Sequence, residues 1–222
     1  MRRPFRFLLL LLAVAVPAEA ATVPERAFIY IPVLKAQISD AWPSIPIPVS
    51  LAGQIEQETC PSLTHRKCWN PKAELKTSRE YGFGLGQLTV TSQFNNFEGI
   101  KKADAKLKSW KWEDRYDPKR QLRALVVMNR NLYARLGFAR DPVERMAFMF
   151  SAYNGGLGGV LQDRRLARSR GGDPDRWFGH VEKHSYKAKT KVKGYGKSFF
   201  EVNREYVRNI LKVRMGKYGS LF

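Results

Sequence analysis

The sequence predicts a mainly α-helical domain with little or no β structure, and three observations carry that expectation. Helix-start chemistry recurs along the chain, at Asp117-Pro118, at Asp141-Pro142 with Glu144, and at Ser198 with Glu201 three positions on. Each sets a side-chain acceptor before a first turn of unbonded N–H groups. Alternation of apolar and polar residues at a period of two, the mark of half-buried strands, is scarce. Finally, 222 residues of which 44% are hydrophobic suffice for one sizeable core and not for several.

Taken in order, residues 1–20 read as an export leader. Arg2, Arg3 and Arg6 precede the apolar run FLLLLLAVAVP, and Ala18-Glu19-Ala20 has the small-x-small pattern of a cleavage site. The run is shorter than the roughly 20 residues a membrane span needs, and no cysteine stands at the cleavage point to carry a lipid, so the expectation is export without stable membrane insertion. Residues 21–48 are proline-rich around one amphipathic stretch, VLKAQISDAW, and read as an arm with a short helix, laid on a domain over 49–222. Ser50 is placed to cap a helix through LAGQIEQET, followed by loop from Cys60 to Pro71 and the glycine-rich YGFGLGQ. Helices are expected from Pro118 to a stop at Gly137, and from Pro142 through RMAFMFSAY, the latter so apolar that it belongs in the middle of the fold. From about Arg164 to Lys197 the chain is basic and rich in Gly and Lys, with poor helical pattern except around DRWFGHVEKH. A last helix starts at the Ser198/Glu201 capping box.

Export places Cys60 and Cys68 in an oxidising compartment, where pairing is the favoured reading. His65 lies between them in a Cys-x4-His-x2-Cys spacing, the alternative being zinc, but a fourth ligand is not evident. We expect no metal and no cofactor. Removing three arginines and Glu19 with the leader takes the formal net charge from +19 to +17. Such a chain is drawn to polyanions, and for an exported protein envelope material leads over nucleic acid.

The one region where carboxylates stand out is Glu56-Gln57-Glu58-Thr59-Cys60. On a helix from Ser50, positions 51, 55 and 58 share a face, so Glu58 ends an apolar stripe of Leu51 and Ile55 while Glu56 turns toward solvent. A carboxyl held against apolar surface has its charged form disfavoured, as a general acid near neutral pH requires.

Downstream of Glu58-Thr59 stand Asn70-Pro71-Lys72-Ala73, Ser78, Gly84-Leu85-Gly86-Gln87, Ala152-Tyr153-Asn154 and Tyr206. In order and type these motifs resemble the soluble lytic transglycosylases, which share the goose-lysozyme-type fold, across residues 51 to 210. Thr59 departs from the family's serine but keeps the hydroxyl, and Tyr81 stands where a first glycine is usual. An insertion between Glu58-Thr59 and Asn70-Pro71 is bracketed by Cys60 and Cys68, where a disulfide would contribute about 2.5 kcal/mol on the chain-entropy view.

The resemblance implies a lysozyme-like single catalytic domain and a peptidoglycan lyase. Glu58 would protonate the oxygen between N-acetylmuramic acid and N-acetylglucosamine and then take the proton of the sugar's own 6-hydroxyl, giving a 1,6-anhydro end. It also implies substrate-binding roles for Thr59, Ser78, Gly84, Gln87, Tyr153, Asn154 and Tyr206, with Gly84 and Gly86 letting backbone approach the glycan. Read by residue type alone, YGFGLGQ also fits a plain loop, Tyr153-Asn154 a helix end and Tyr206 a core aromatic. Glu80, beside an arginine, reads as a solvated loop residue. The implied setting is a monomer in a Gram-negative periplasm, acting on glycan strands, with an envelope-spanning machine as a further partner. Three rivals share some of these features: a hydrolytic goose-type lysozyme, a non-catalytic peptidoglycan-binding or assembly protein, and a basic zinc protein acting on nucleic acid or membranes.

Overall fold

The computed structural model describes residues 22–78, 80–187, 189–191 and 196–222; the expected leader lies outside the described residues. Among them are seven α-helices and one small sheet.

Helix α1 spans Glu25–Ala41. It is longer than the expected stretch and runs through Pro32, which has no N–H to bond the Phe28 carbonyl; both residues are exposed. Ala27, Ile31, Leu34, Ile38 and Ala41 are all buried, at alternating steps of four and three, so one stripe faces the domain. That stripe packs on α4, Pro118–Ala134. The Arg123 guanidinium of α4 forks onto Asp104, with Nε and Nη2 each 2.8 Å from a carboxylate oxygen, and also meets Asp40 of α1.

Helix α2, Ser50–Thr59, is buried nearly all round. Ser50 is its first residue rather than its cap, and the hydroxyl donates backward to the Ile47 carbonyl. At Gly53 a Cβ would lie 3.1 Å from the Met215 nitrogen and 3.2 Å from the Ile210 carbonyl oxygen, so the glycine lets the C-terminal segment cross α2 closely.

Three strands form an antiparallel meander: β1 Glu74–Lys76, β2 Tyr81–Phe83 and β3 Leu88–Val90, with Glu74 opposite Phe83 and Tyr81 opposite Val90. Each is only three residues long, too short for alternation to register in the sequence. Behind the sheet Phe83, Phe97 and Trp110 meet edge to face; Phe97 and Trp110 have centroids 4.8 Å apart. Helix α3, Asn96–Ala103, carries Phe97 into this cluster, and its cap Asn95 accepts from the Glu98 N–H at 3.0 Å.

Helices α4 and α5 (Pro142–Gly155) begin at the expected aspartates, Asp117 and Asp141, whose carboxylates accept first-turn N–H groups. Helix α5 is the centre of the fold: residues 146–152 are all buried, and α4, α6 and α7 pack around it. Glu144 adds a long-range tie by accepting the Trp177 and Phe178 N–H groups at 2.6 and 3.1 Å. Helix α6, Leu157–Ser169, covers a stretch not expected to be helical. Its glycines and basic residues hide a buried stripe of Val160, Asp163, Leu166 and Ala167. Helix α7, Phe199–Arg208, opens on the expected capping box, with Ser198 Oγ taking the Glu201 N–H at 3.1 Å and Glu201 Oε2 the Ser198 N–H at 2.7 Å. The chain continues through a π-helical segment, Asn209–Arg214, and a 3-10 segment, Met215–Leu221, both packed on α2. No helix of the described residues is long and apolar enough to cross a membrane.

Candidate active site

The C-terminal end of α2 opens into a groove between the sheet, α5 and α7. What stops the helix also fixes Glu58. Thr59 turns its hydroxyl back to the Ile55 carbonyl at 2.7 Å and accepts the Trp69 N–H at 3.0 Å. The next residue, Cys60, is disulfide-bonded to Cys68, which closes the inserted loop at its base. This pairing removes both sulfurs from any zinc site, and His65 accepts the Lys67 N–H through Nδ1 at 3.1 Å. Trp69, fully buried at φ 49°, anchors the far end of the loop by donating Nε1–H to the Tyr218 hydroxyl at 3.1 Å.

Glu58 lines a cleft of about 570 Å³ together with Lys67, Glu74, Gln87, Tyr153 and Tyr206. Tyr206 of α7 donates its hydroxyl to Glu58 Oε1. Burial pushes the Glu58 carboxyl up to about 8, against the opposing pull of that hydrogen bond. Near neutral pH the acid is therefore protonated. Burial also raises the Tyr153 and Tyr206 phenols far above their usual range, with the neighbouring Glu58 charge adding to it, so both remain neutral donors.

Tyr153 donates to the Gly86 carbonyl at 2.6 Å, which explains that glycine: a Cβ there would stand 2.9 Å from the phenol oxygen. Gly84 has φ +79°, and a Cβ on it would strike the Gln121 side chain at 2.4 Å. In both cases the close approach is to protein atoms. Gln87, at φ 44°, lines the cleft and donates Nε2–H to the Ala73 and Gly84 carbonyls at 3.1 and 2.8 Å. Asn154 is exposed on the rim, its Oδ1 accepting from Asn203 at 3.0 Å. Glu58, Gln87, Tyr153, Asn154 and Tyr206 thus share one cleft. Thr59 borders it but is buried, its hydroxyl engaged with backbone, and Ser78 is exposed in the turn between β1 and β2, outside the residues that line the cleft.

One expectation for the acids is corrected. Glu56 does not reach solvent: it is 1% exposed and accepts from Arg214 at 2.6 Å, Lys217 at 2.9 Å and the Tyr218 hydroxyl. Its helical face is the one the C-terminal segment covers. Glu80 is a partly exposed loop residue just before β2, and it lines both this cleft and an adjoining cavity of about 770 Å³. The two cavities share Glu80, Thr89, Tyr153 and Asn154 and so make one long groove.

Sequence reasoning missed three polar residues near Glu58. Glu74 lines the cleft and accepts from the Tyr116 and Tyr81 hydroxyls, which hold its carboxyl below the usual range. Gln54 and Asn129 are fully buried beneath Tyr206, with Gln54 Nε2 3.0 Å from the phenol oxygen and Asn129 Nδ2 2.8 Å from Gln54 Oε1. Such partners lie too far apart in sequence for spacing to show them.

Fold and site together define a lysozyme-like domain: mainly helical, with a small sheet on one side of a groove and one protonated carboxyl in its wall. No protein-family model matches the chain. It is similar to proteins named membrane-bound lytic murein transglycosylase F. The relative from Vibrio cholerae is 28% identical over 159 residues, and that from Vibrio campbellii 29% over 159; each match covers 69% of this chain and 26% of the relative. The relative from Yersinia pestis is 26% identical over 178 residues, covering 77% of this chain and 32% of its own. The chain thus spans about a quarter to a third of the length of these relatives, and the matches support its assignment to the lytic transglycosylase family.

Proposed function

We propose that the chain is a peptidoglycan lytic transglycosylase that cleaves the bond between N-acetylmuramic acid and N-acetylglucosamine without water. The observation that carries this reading is the state of Glu58: a carboxyl in the wall of a long groove, kept protonated near neutrality by burial and touched by the Tyr206 hydroxyl. As acid, Glu58 gives its proton to the glycosidic oxygen as the bond from the anomeric carbon breaks. As carboxylate, it takes the proton of the same sugar's 6-hydroxyl while that oxygen bonds to the anomeric carbon. The ring closes to a 1,6-anhydro end and Glu58 returns to its starting form.

One carboxyl suffices for this sequence, whereas hydrolytic glycosidases generally use two. Glu74, another carboxylate lining the cleft, is committed to two tyrosine hydroxyls. Gln87 and Asn154 would offer amide groups to acetamido and hydroxyl groups of the glycan, and Tyr153 and Tyr206 would wall the reacting sugar. Ser78 would act only where a glycan or peptide stem reaches the β1–β2 turn. With the leader expected at residues 1–20 and the arm and domain following it, the site of action is the periplasm, on glycan strands and beside envelope-spanning machinery.

The test is digestion of insoluble peptidoglycan by the purified chain and by Glu58→Gln, with released fragments weighed by mass spectrometry. Fragments one water lighter than hydrolytic products, absent with the variant, are expected. Full-mass fragments would replace the proposal with a lysozyme, and no release from either protein would leave a binding or assembly role.

A further inference from the structure

Behind the cleft wall, three buried polar groups join Glu58 in a single chain that crosses three helices. Asn129 of α4 donates Nδ2–H to the Leu125 carbonyl at 2.9 Å and to Gln54 Oε1 at 2.8 Å. Gln54 of α2 donates Nε2–H to the Tyr206 oxygen at 3.0 Å, and Tyr206 donates to Glu58. Asn129 and Gln54 are 0% exposed and Tyr206 3%, so bulk water does not compete for these bonds.

The direction of the chain is dictated at its far end. A backbone carbonyl can only accept, so Asn129 must turn its NH₂ toward Leu125. That same NH₂ also reaches Gln54, which must then present its oxygen to Asn129 and its own NH₂ to Tyr206. The phenol oxygen accepts from Gln54, and its single proton is left for Glu58 Oε1. Asn129 keeps this orientation although its own Oδ1, buried, finds no hydrogen-bond partner in the structure.

We propose that Asn129 and Gln54 are positioning residues that, through Tyr206, set which oxygen of Glu58 carries the transferable proton. This rests on the reading of Glu58 as the acid. With Oε1 occupied as an acceptor, the acidic proton resides on Oε2. A phenol without the Gln54 bond could turn and accept from protonated Glu58 instead, favouring the protonated form. With the bond, Tyr206 donates to either form and stabilises the carboxylate more. The other titratable groups lining the cleft around Glu58 are Tyr153 of α5, Lys67 of the disulfide loop, Glu74 of β1, Glu80 just before β2, and Arg214 of the π-helical segment. None of these is altered by substitution at Gln54 or Asn129.

The test follows Glu58 directly, by carboxyl carbon NMR of the whole chain labelled at glutamate, with the signal assigned by its loss in Glu58→Gln. Gln54→Met, which keeps volume and removes the donor, should move the Glu58 midpoint upward by about one pH unit. Asn129→Leu, which frees the Gln54 amide to turn, should move it the same way by less. In a Tyr206→Phe background Gln54→Met should move nothing, because the relay has already lost its last member. Unshifted midpoints in both single variants, each shown folded by its thermal transition, would overturn the proposal. So would a Gln54→Met shift that is equal with and without the Tyr206 hydroxyl, since that would mark a merely structural effect. The NMR readout needs no turnover: the expected shifts in a chain that leaves peptidoglycan intact would support the relay and count against the transglycosylase reading alone.

Discussion

Glu56 and Glu58 stand two residues apart on one helix and meet opposite fates. Glu58 ends the Leu51–Ile55 stripe, and that much could be read from a helical wheel. Glu56 was misread because the wheel cannot show that residues 209–221 fold back over its face. For Glu58→Gln, fragment release is expected to fall at least 10²-fold, the lower end of about 10²–10⁴ for one proton transfer, because both transfers use this group. For the wild type, kcat/KM should decline as pH rises through about 8, where the acid loses its proton. The same group has a stability signature. Its folded value is raised above the ordinary 4.5, so between 4.5 and about 8 the folded chain holds more proton than the unfolded one, and stability falls as pH rises. The folding free energy of Glu58→Gln, followed by denaturation at each pH, should therefore gain on that of the wild type from pH 5 to pH 8, by at most about 1.4 kcal/mol per pH unit. A gap that is constant with pH would contradict a desolvated, protonated Glu58. Glu56→Gln should instead destabilise by about 3–5 kcal/mol, measured by urea denaturation, because it leaves Arg214 and Lys217 without their buried counter-charge.

At the scale of elements, legibility followed local chemistry. Helices α4, α5 and α7 announced themselves because a capping side chain is a local device, visible within four residues. Helix α6 and the sheet did not. The first turn of α6 holds Gly158 and Gly159, residues of poor helix propensity, and the helix forms because Val160, Leu166 and Ala167 are buried in the completed fold. The three-residue strands are too short for alternation to show, and they lean on the aromatic cluster of Phe83, Phe97 and Trp110, whose members come from separate stretches of the chain. The disulfide was legible because only two cysteines were available. Replacing Cys60 and Cys68 together with alanine should lower stability by about 2.5 kcal/mol, the cost of freeing so short a loop in the unfolded chain. Since that loop begins one residue after Thr59, a loss of fragment release larger than the loss of folded protein is also expected. Measuring both on the same samples separates a loosened α2 terminus from simple unfolding.

At the scale of the whole molecule, the formal net charge of +19 has little to do with the fold: the buried ion pairs draw on a few arginines and lysines, and the others among the described residues are partly or fully exposed. Its consequence is association with an acidic partner. If the substrate is a glycan whose peptide stems carry carboxylates, approach to it is steered by the field of the whole chain, whereas bond cleavage depends on Glu58 acting at contact distance, where salt screens much less. The two should separate with ionic strength. Raising salt from about 0.01 M to about 0.15 M shortens the Debye length from roughly 30 Å to roughly 8 Å. Binding of the chain to insoluble peptidoglycan, measured by co-sedimentation, should weaken markedly over that range. Release per bound molecule should stay nearly constant. A parallel loss of both would place the charge within the catalytic step, while binding indifferent to salt would mean that the groove alone, with its amides and tyrosines, holds the glycan.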